Sequence, residues 1–256
     1  MRISDRVTLV GAIVNILLSI LKIVVGWFAR SQSLIADGVH SFSDLATDVA
    51  ILAGSRFWNA PADEKHPYGH GRIETLISIG IGVVLAGVAL GIGWEALNSL
   101  YEANGGPPGW SALWVAVLSI VVKEWLYRWT AATGRRIHSR AIVANAWHHR
   151  SDALSSVPVV AAILGAHLFP SFKHLDQIAA LLVTAMLLKA AWNIAWPGMT
   201  ELLEERGDRE LEKRIRAIGM NMDEVKEIHK VRSRRIGGAV NVDLHMLVNP
   251  DMTVYE

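Results

Sequence analysis

The chain contains no cysteine, which excludes disulfides, thiolate zinc sites, iron–sulfur clusters and cysteine nucleophiles. Any transition-metal chemistry must therefore rest on histidine, carboxylate or methionine. Charge is scarce as well: 19% of the 256 residues are charged against 52% hydrophobic, with a mean hydropathy of +0.30. That balance excludes an ordinary soluble domain. An HExxH motif is also missing, which argues against an intramembrane metallohydrolase, and no enzymatic activity is expected. With a net charge of +1, no nucleic-acid partner is expected. Of the 49 charges, 27 fall in the first 200 positions and 22 in the last 56, so the tail is expected to face water.

Six apolar runs are long enough to cross a hydrocarbon core of about 30 Å, which takes about 20 helical residues. They are Val7 to Phe28, Ser33 to Phe57, Ile73 to Leu100, Trp110 to Ala132, Arg140 to Phe169 and Leu175 to Trp196, the last ended by Pro197-Gly198. An even number of crossings puts both termini on one side. Arg2, Arg6, Arg56, Lys65, Arg72, Arg128, Arg135, Arg136 and Arg140 flank one face against Arg30 and Lys173 on the other, so both termini are expected in the cytoplasm. The first run is too long for a cleavable signal. Residues 1–200 thus form a six-helix transmembrane domain embedded in a lipid bilayer, and 201–256 a small cytoplasmic α+β domain. In the tail, Asp208 to Met220 reads as an amphipathic helix, Glu227 to Arg235 as a strand, Gly237-Gly238 as a turn, and Ala239 to Val248 as a strand with Val240, Val242, Leu244 and Met246 inward. Two strands and one helix are thin for an independent domain, so this ferredoxin-like unit is expected to pair with a second copy or to be incomplete. Gly87 and Gly91 make a GxxxG expected to pack closely.

A charged side chain at the bilayer centre costs about 2.5–3.5 kcal/mol even on lenient scales, so each one needs a reason. Asp37, His40, Asp44 and Asp48 recur three and four apart on one face of the second run; Asn145, His148 and Asp152 do the same on the fifth. Both helices carry H-x-x-x-D. Imidazole and carboxylate at i, i+4 can chelate one ion, and two such helices supply the four ligands of a tetrahedral Zn²⁺. The competing reading is a buried polar network that glues helices together. Arg150 and His149 fall on other faces, as loop-side or snorkelling groups, and Lys22, Lys123, Glu124, Asp176 and Lys189 are expected to snorkel or to pair, with no role assigned. His138, His167 and His174 are expected at the surface. In the polar loop Asn59 to Arg72, Asp63, His66 and His70 form either a lesser metal site, a guide to the pore or a merely solvated turn.

SLIADGVHS (Ser33 to Ser41) with Asp44, HPYGHGRIE (His66 to Glu74), and Ala146-Trp147-His148 with Ser151-Asp152 resemble, in order and across nearly the whole chain, the cation diffusion facilitator family. The resemblance implies a homodimeric divalent-metal efflux transporter of the zinc/iron type, exchanging Zn²⁺, or else Fe²⁺, Mn²⁺, Cd²⁺ or Co²⁺, for protons. It implies a site at His40, Asp44, His148 and Asp152, whose two imidazoles resemble the zinc-preferring version, and a loop site at His66 and His70. Asp37, one turn away, is expected as an entry ligand, a proton carrier or structural glue. His229 and His245 match positions at which the tail of family members binds regulatory metal. Arg72 and Glu204, at the expected cytoplasmic boundary, are candidates for a charge pair between protomers. The location implied is a membrane, in particular a bacterial inner membrane. A non-transporting metal sensor or scaffold of the same fold is the alternative.

Overall fold

The computed structural model describes residues 3–58, 60–101, 107–137, 139–169, 172, 174–237 and 239–253. The middle of the expected turn from Tyr101 to Gly109, His138, the Asp48 side chain and Gly238 lie outside the described residues. Those described form eight helices and a two-stranded sheet: α1 Ile3–Phe28, α2 Gln32–Trp58, α3 Arg72–Tyr101, α4 Trp110–Arg136, α5 Arg140–Ser155, α6 Val157–Leu168, α7 Leu175–Leu202, α8 Arg209–Met220, β1 Val225–Ile236 and β2 Ala239–Val248. Among the described residues, five stretches are long and apolar enough to span a membrane: Arg6–Phe28, Arg72–Leu100, Trp110–Arg136, Ile142–Leu168 and Leu175–Leu202. The second expected span, α2, is not among them. It has the length, at 27 residues, but Asp37, His40, Asp44 and Asp48 on one face make it less apolar.

Two compact units emerge, Met1–Val49 with Val83–Trp192 and Ala50–Gly82 with Asn193–Glu256. In the first, α4 packs against α1, α5 and α6. The hairpin from α1 to α2 is tight: Arg30 adopts φ 56°, and the Ser31 N–H donates to the Gly26 carbonyl at 2.9 Å. The first turn of α2 is capped from another helix. Asp176, 1% exposed at the start of α7, accepts from the Ser31 hydroxyl and the Gln32 N–H, both at 2.8 Å, and from the Ser33 hydroxyl. A carboxylate at a helix N-terminus meets both the orphan N–H groups and the helix dipole. Further on, a Cβ at Gly38 would stand 2.8 Å from Ile23 Cγ1 and 3.0 Å from Lys22 Cβ, so glycine is what lets α1 press its lysine against α2. The fifth expected span is broken into α5 and α6 at Ser156. Pro158 lies at the start of α6 and cannot donate to the carbonyl of Leu154, so the ladder is interrupted there.

In the second unit α7 continues to Leu202, past the Pro197-Gly198 at which the sequence reading ends it. Tertiary packing overrides the break: a Cβ at Gly198 would come within 2.8 Å of Ile79 Cγ1 and 3.2 Å of the Thr75 carbonyl, so α7 is held close against α3. The tail hairpin pairs β1 and β2 antiparallel, in a register that sets His229 opposite His245. Asp208 caps α8 by accepting from the Glu210 N–H at 2.9 Å. α8 packs on β1, leaving Ile228 fully buried. The β2 residues expected inward are not all so, with Val240 44% and Met246 42% exposed. Strand alternation marks a face with apolar character, but α8 lies over β1 and leaves β2 uncovered within one chain. Nor do Gly87 and Gly91 pack closely here, since a Cβ at either meets nothing within 4 Å.

Candidate metal site

Within the first unit, α2 and α5 bring together three of the four residues expected in the membrane site. Asp44, His148 and Asp152 offer ligand atoms that all lie within 4.8 Å of one another. His148 Nδ1 stands 3.8 Å from Asp152 Oδ1, as the i, i+4 spacing on α5 dictates. His40, one turn before Asp44 on α2, stands outside this trio, and its Nδ1 is buried without a hydrogen-bond partner. The trio alone offers two carboxylates and one imidazole.

Sequence reasoning missed what surrounds it. Lys22 on α1 and Lys123 on α4 are both fully buried. Lys123 Nζ donates to Asp152 Oδ2 at 3.2 Å and to Ser41 Oγ at 3.0 Å. Lys22 Nζ lies 2.7 Å from Asp37 Oδ2 and also reaches Ser156 Oγ at 3.1 Å and Ser41 Oγ at 3.4 Å. Ser156 in turn donates to Asp37 Oδ2 at 2.7 Å. The polar groups thus form one chain, Asp37–Lys22–Ser41–Lys123–Asp152. Asp37 belongs to this network, not to the ligand trio. Asp152 is common to both arrangements: the trio whose spacing could hold a metal ion and the ion-paired network.

The signal for the lysines was available in the sequence. In a tight antiparallel hairpin, residues equidistant from the turn meet. Lys22 lies eight residues before Arg30 and Asp37 seven after it; Lys123 lies 15 before position 138 and Asp152 14 after it. His149 corrects the expectation in another way. It is 3% exposed rather than loop-side, with both ring nitrogens lacking a hydrogen-bond partner. Its imidazole fills the space opposite Gly11 of α1, whose missing side chain opens room for it. Arg150 stays on the flank: its guanidinium lies 4.8 Å over the Tyr127 ring and donates to the Tyr127 hydroxyl at 3.3 Å.

In the second unit, Asp63, His66 and His70 also converge within 4.8 Å. Asp63 Oδ1 lies 3.2 Å from His66 Nδ1, and Oδ2 lies 3.4 Å from His70 Nε2. The His66 backbone N–H, helped by that of Lys65 and by the His66 ring, holds the Asp63 carboxyl below the ordinary carboxylate range. This trio is half open to solvent. In the tail, the His229 and His245 rings meet edge-on with centroids 5.3 Å apart, and His229 Nδ1 lies 3.4 Å from Glu227 Oε1. Arg72 and Glu204 meet within one chain at 3.2 Å, each about half exposed.

A set of helices, five stretches of which among the described residues are long and apolar enough to span a membrane, with an acid–imidazole cluster and an α–β–β tail, fits the class of polytopic membrane proteins that handle cations. Residues 8–203 match the Cation efflux transmembrane domain and residues 208–256 the Cation efflux protein, cytoplasmic domain. The chain belongs to the cation efflux family, the cation diffusion facilitators, a family of divalent metal transporters. It is 34% identical over 256 residues to an uncharacterised transporter of Methanocaldococcus jannaschii, covering all of this chain and 90% of that one. It is 33% identical over 260 residues to the manganese efflux system protein MneP of Bacillus subtilis, covering 99% and 86%. To the magnetosome protein MamB of a Magnetospira strain it is 30% identical over 252 residues, covering 98% and 85%.

Proposed function

We propose that this protein exports a divalent transition-metal cation in exchange for protons, as a homodimer with both termini in the cytoplasm, and that it has no catalytic activity. The observation that carries the reading is the convergence of Asp44 from α2 with His148 and Asp152 from α5, the latter helix lying in a stretch long and apolar enough to span a membrane, where uncompensated charge is costly. His40 is the fourth ligand in this reading, one helical turn from Asp44. Imidazoles bind metal only when neutral, so ion entry releases any protons they hold, which couples metal to proton movement. Asp63, His66 and His70 serve as a capture site, and His229 and His245 as a weaker regulatory one. The Arg72–Glu204 pair fastens α3 to the segment after α7, and in the dimer it is the candidate lock between protomers.

Zn²⁺ is the first choice of cargo, because a completed set of two imidazoles and two carboxylates suits it, with Fe²⁺ next. A second reading, Mn²⁺, is favoured by the likeness to MneP and by the trio itself, whose oxygen-rich donors suit a harder ion. Flux into proteoliposomes under an imposed pH gradient, with Zn²⁺ and Mn²⁺ in competition, tests both. Flux of either metal that collapses with the proton gradient is expected. No flux of any divalent metal would overturn the transport reading in favour of a sensor or scaffold. His40→Asp is expected to move the flux ratio toward Mn²⁺, and an unchanged ratio would remove His40 from the site.

A further inference from the structure

We infer that Lys123 is a tethered cation that competes with the transported metal for Asp152, so that ion entry must push the ammonium aside and the ammonium's return drives the ion out. The inference rests on the metal-site reading above and concerns how that site is regulated. Asp152 is 5% exposed and divides its two oxygens between rival partners: Oδ1 faces His148, the metal side, while Oδ2 accepts from Lys123 Nζ. A divalent ion bound through Asp152 would stand within a few ångströms of a fully buried ammonium, where repulsion is only weakly screened. The lysine cannot diffuse away, because it is anchored in the middle of α4 and its side chain is enclosed. It does have an alternative partner. Ser41 Oγ accepts from Lys123 at 3.0 Å and lies on the far side of the network, linked to the Lys22–Asp37 pair. An ammonium that loses Asp152 therefore keeps its hydrogen bond to Ser41, and it stays poised to return.

The arrangement suits transport better than storage. A site that carries an ion must bind it well enough to admit it and weakly enough to release it. Two carboxylates and one or two imidazoles in a low-dielectric setting make a deep trap; a resident positive charge makes it shallower without removing a ligand. Lys22 does not share this role, since its own carboxylate partner, Asp37, lies outside the trio.

The test is metal binding by the purified full-length protein in lipid nanodiscs, using Zn²⁺ and Mn²⁺ alone as probes, with rapid chelation to follow release. The membrane site is defined as the binding step that Asp152→Ala removes. Lys123→Met and Lys123→Gln, the second retaining a polar contact with Ser41, are expected to bind about tenfold more tightly at that step and to release correspondingly slowly, because a charge beside a ligand has gone. In flux assays both variants should lower KM and maximal rate together. Lys123→Arg, which keeps the charge, should stay near wild type. A purely structural lysine would give weaker binding, or unchanged affinity, in whichever variant folds, and either result with the Asp152-dependent step intact overturns the inference while leaving the metal site standing. If Asp152→Ala removes no binding step, the site reading and the inference fall together.

Discussion

Two clusters in this protein use the same ligand chemistry, one carboxylate-rich and carried on helices with Asp152 buried, the other on a loop, and they differ in what else touches the acid. Asp152 shares its carboxylate with a buried lysine; Asp63 shares its own with backbone N–H groups and two imidazoles. Backbone donors fix a carboxylate in place at no cost in net charge, and solvent screens the rest. A buried carboxylate has no such screening, so a neighbouring cation is needed to stabilise it until another arrives. In the transport cycle we propose, the loop cluster meets the ion, whereas the helical one is discharged and recharged.

The sharpest way to break that contrast is at Asp152 itself. Asp152→Ala should reduce metal flux in proteoliposomes to background while the protein still inserts and runs as a single species on size exclusion; normal flux would remove the buried cluster from the transport path. Next in size is the Lys22–Asp37 pair. Lys22→Met leaves a buried carboxylate unpaired and should destabilise the protein by about 3–5 kcal/mol, and Lys22→Met with Asp37→Asn should recover most of that loss. Thermal unfolding in detergent reads the difference, and equal damage in the single and double variants would show that the pair is not a unit. At the loop, His70→Gln should raise KM for metal more than it lowers the maximal rate, since an exposed capture site acts on arrival; a fall in maximal rate alone would place His70 in the rate-limiting step.

The smallest effect expected lies in the tail. Glu212 accepts from Ser233 N–H at 3.2 Å and Oγ at 3.0 Å and pairs with Arg206. The Arg206 guanidinium holds its carboxyl below the ordinary value of 4.5. A depressed carboxyl contributes stability that is present above pH 4.5 and is lost as pH falls through the lower folded value. Hydrogen exchange at the Ser233 amide should therefore accelerate on acidification beyond its intrinsic pH dependence, and Glu212→Gln should remove the excess. An unchanged excess in that variant would assign the acid sensitivity elsewhere.

Much of this arrangement was legible in the sequence. Span length and the three-and-four spacing of Asp37, His40 and Asp44 locate α2 and its polar face, and the repeat at His148 and Asp152 locates the partner helix. What escaped were contacts that depend on depth and crossing. Hydropathy leaves Lys22 and Lys123 between snorkelling and pairing, with no partner named, because it treats a lysine alike wherever it points; only the hairpin geometry sets each at the level of an aspartate. Asp176 was opaque for a similar reason, as it caps a helix more than 140 residues away. The run of α7 through Pro197 was hidden because Gly198, a helix breaker by propensity, is also the residue that allows close packing on Thr75 and Ile79.

The interruption between α5 and α6 turns one span into two rods meeting at Ser156, and Asp152 and His148 are respectively four and eight residues up the first rod. At about 1.5 Å per residue their lever arms are about 6 Å and about 12 Å, so a tilt of about 10° at the joint would carry Asp152 about 1 Å and His148 about 2 Å. The carboxylate sits near the fulcrum and the imidazole about halfway along the rod. Such a rod would widen or narrow the gap between its own two ligands and α2 by unequal amounts, and it would loosen the outer ligand first.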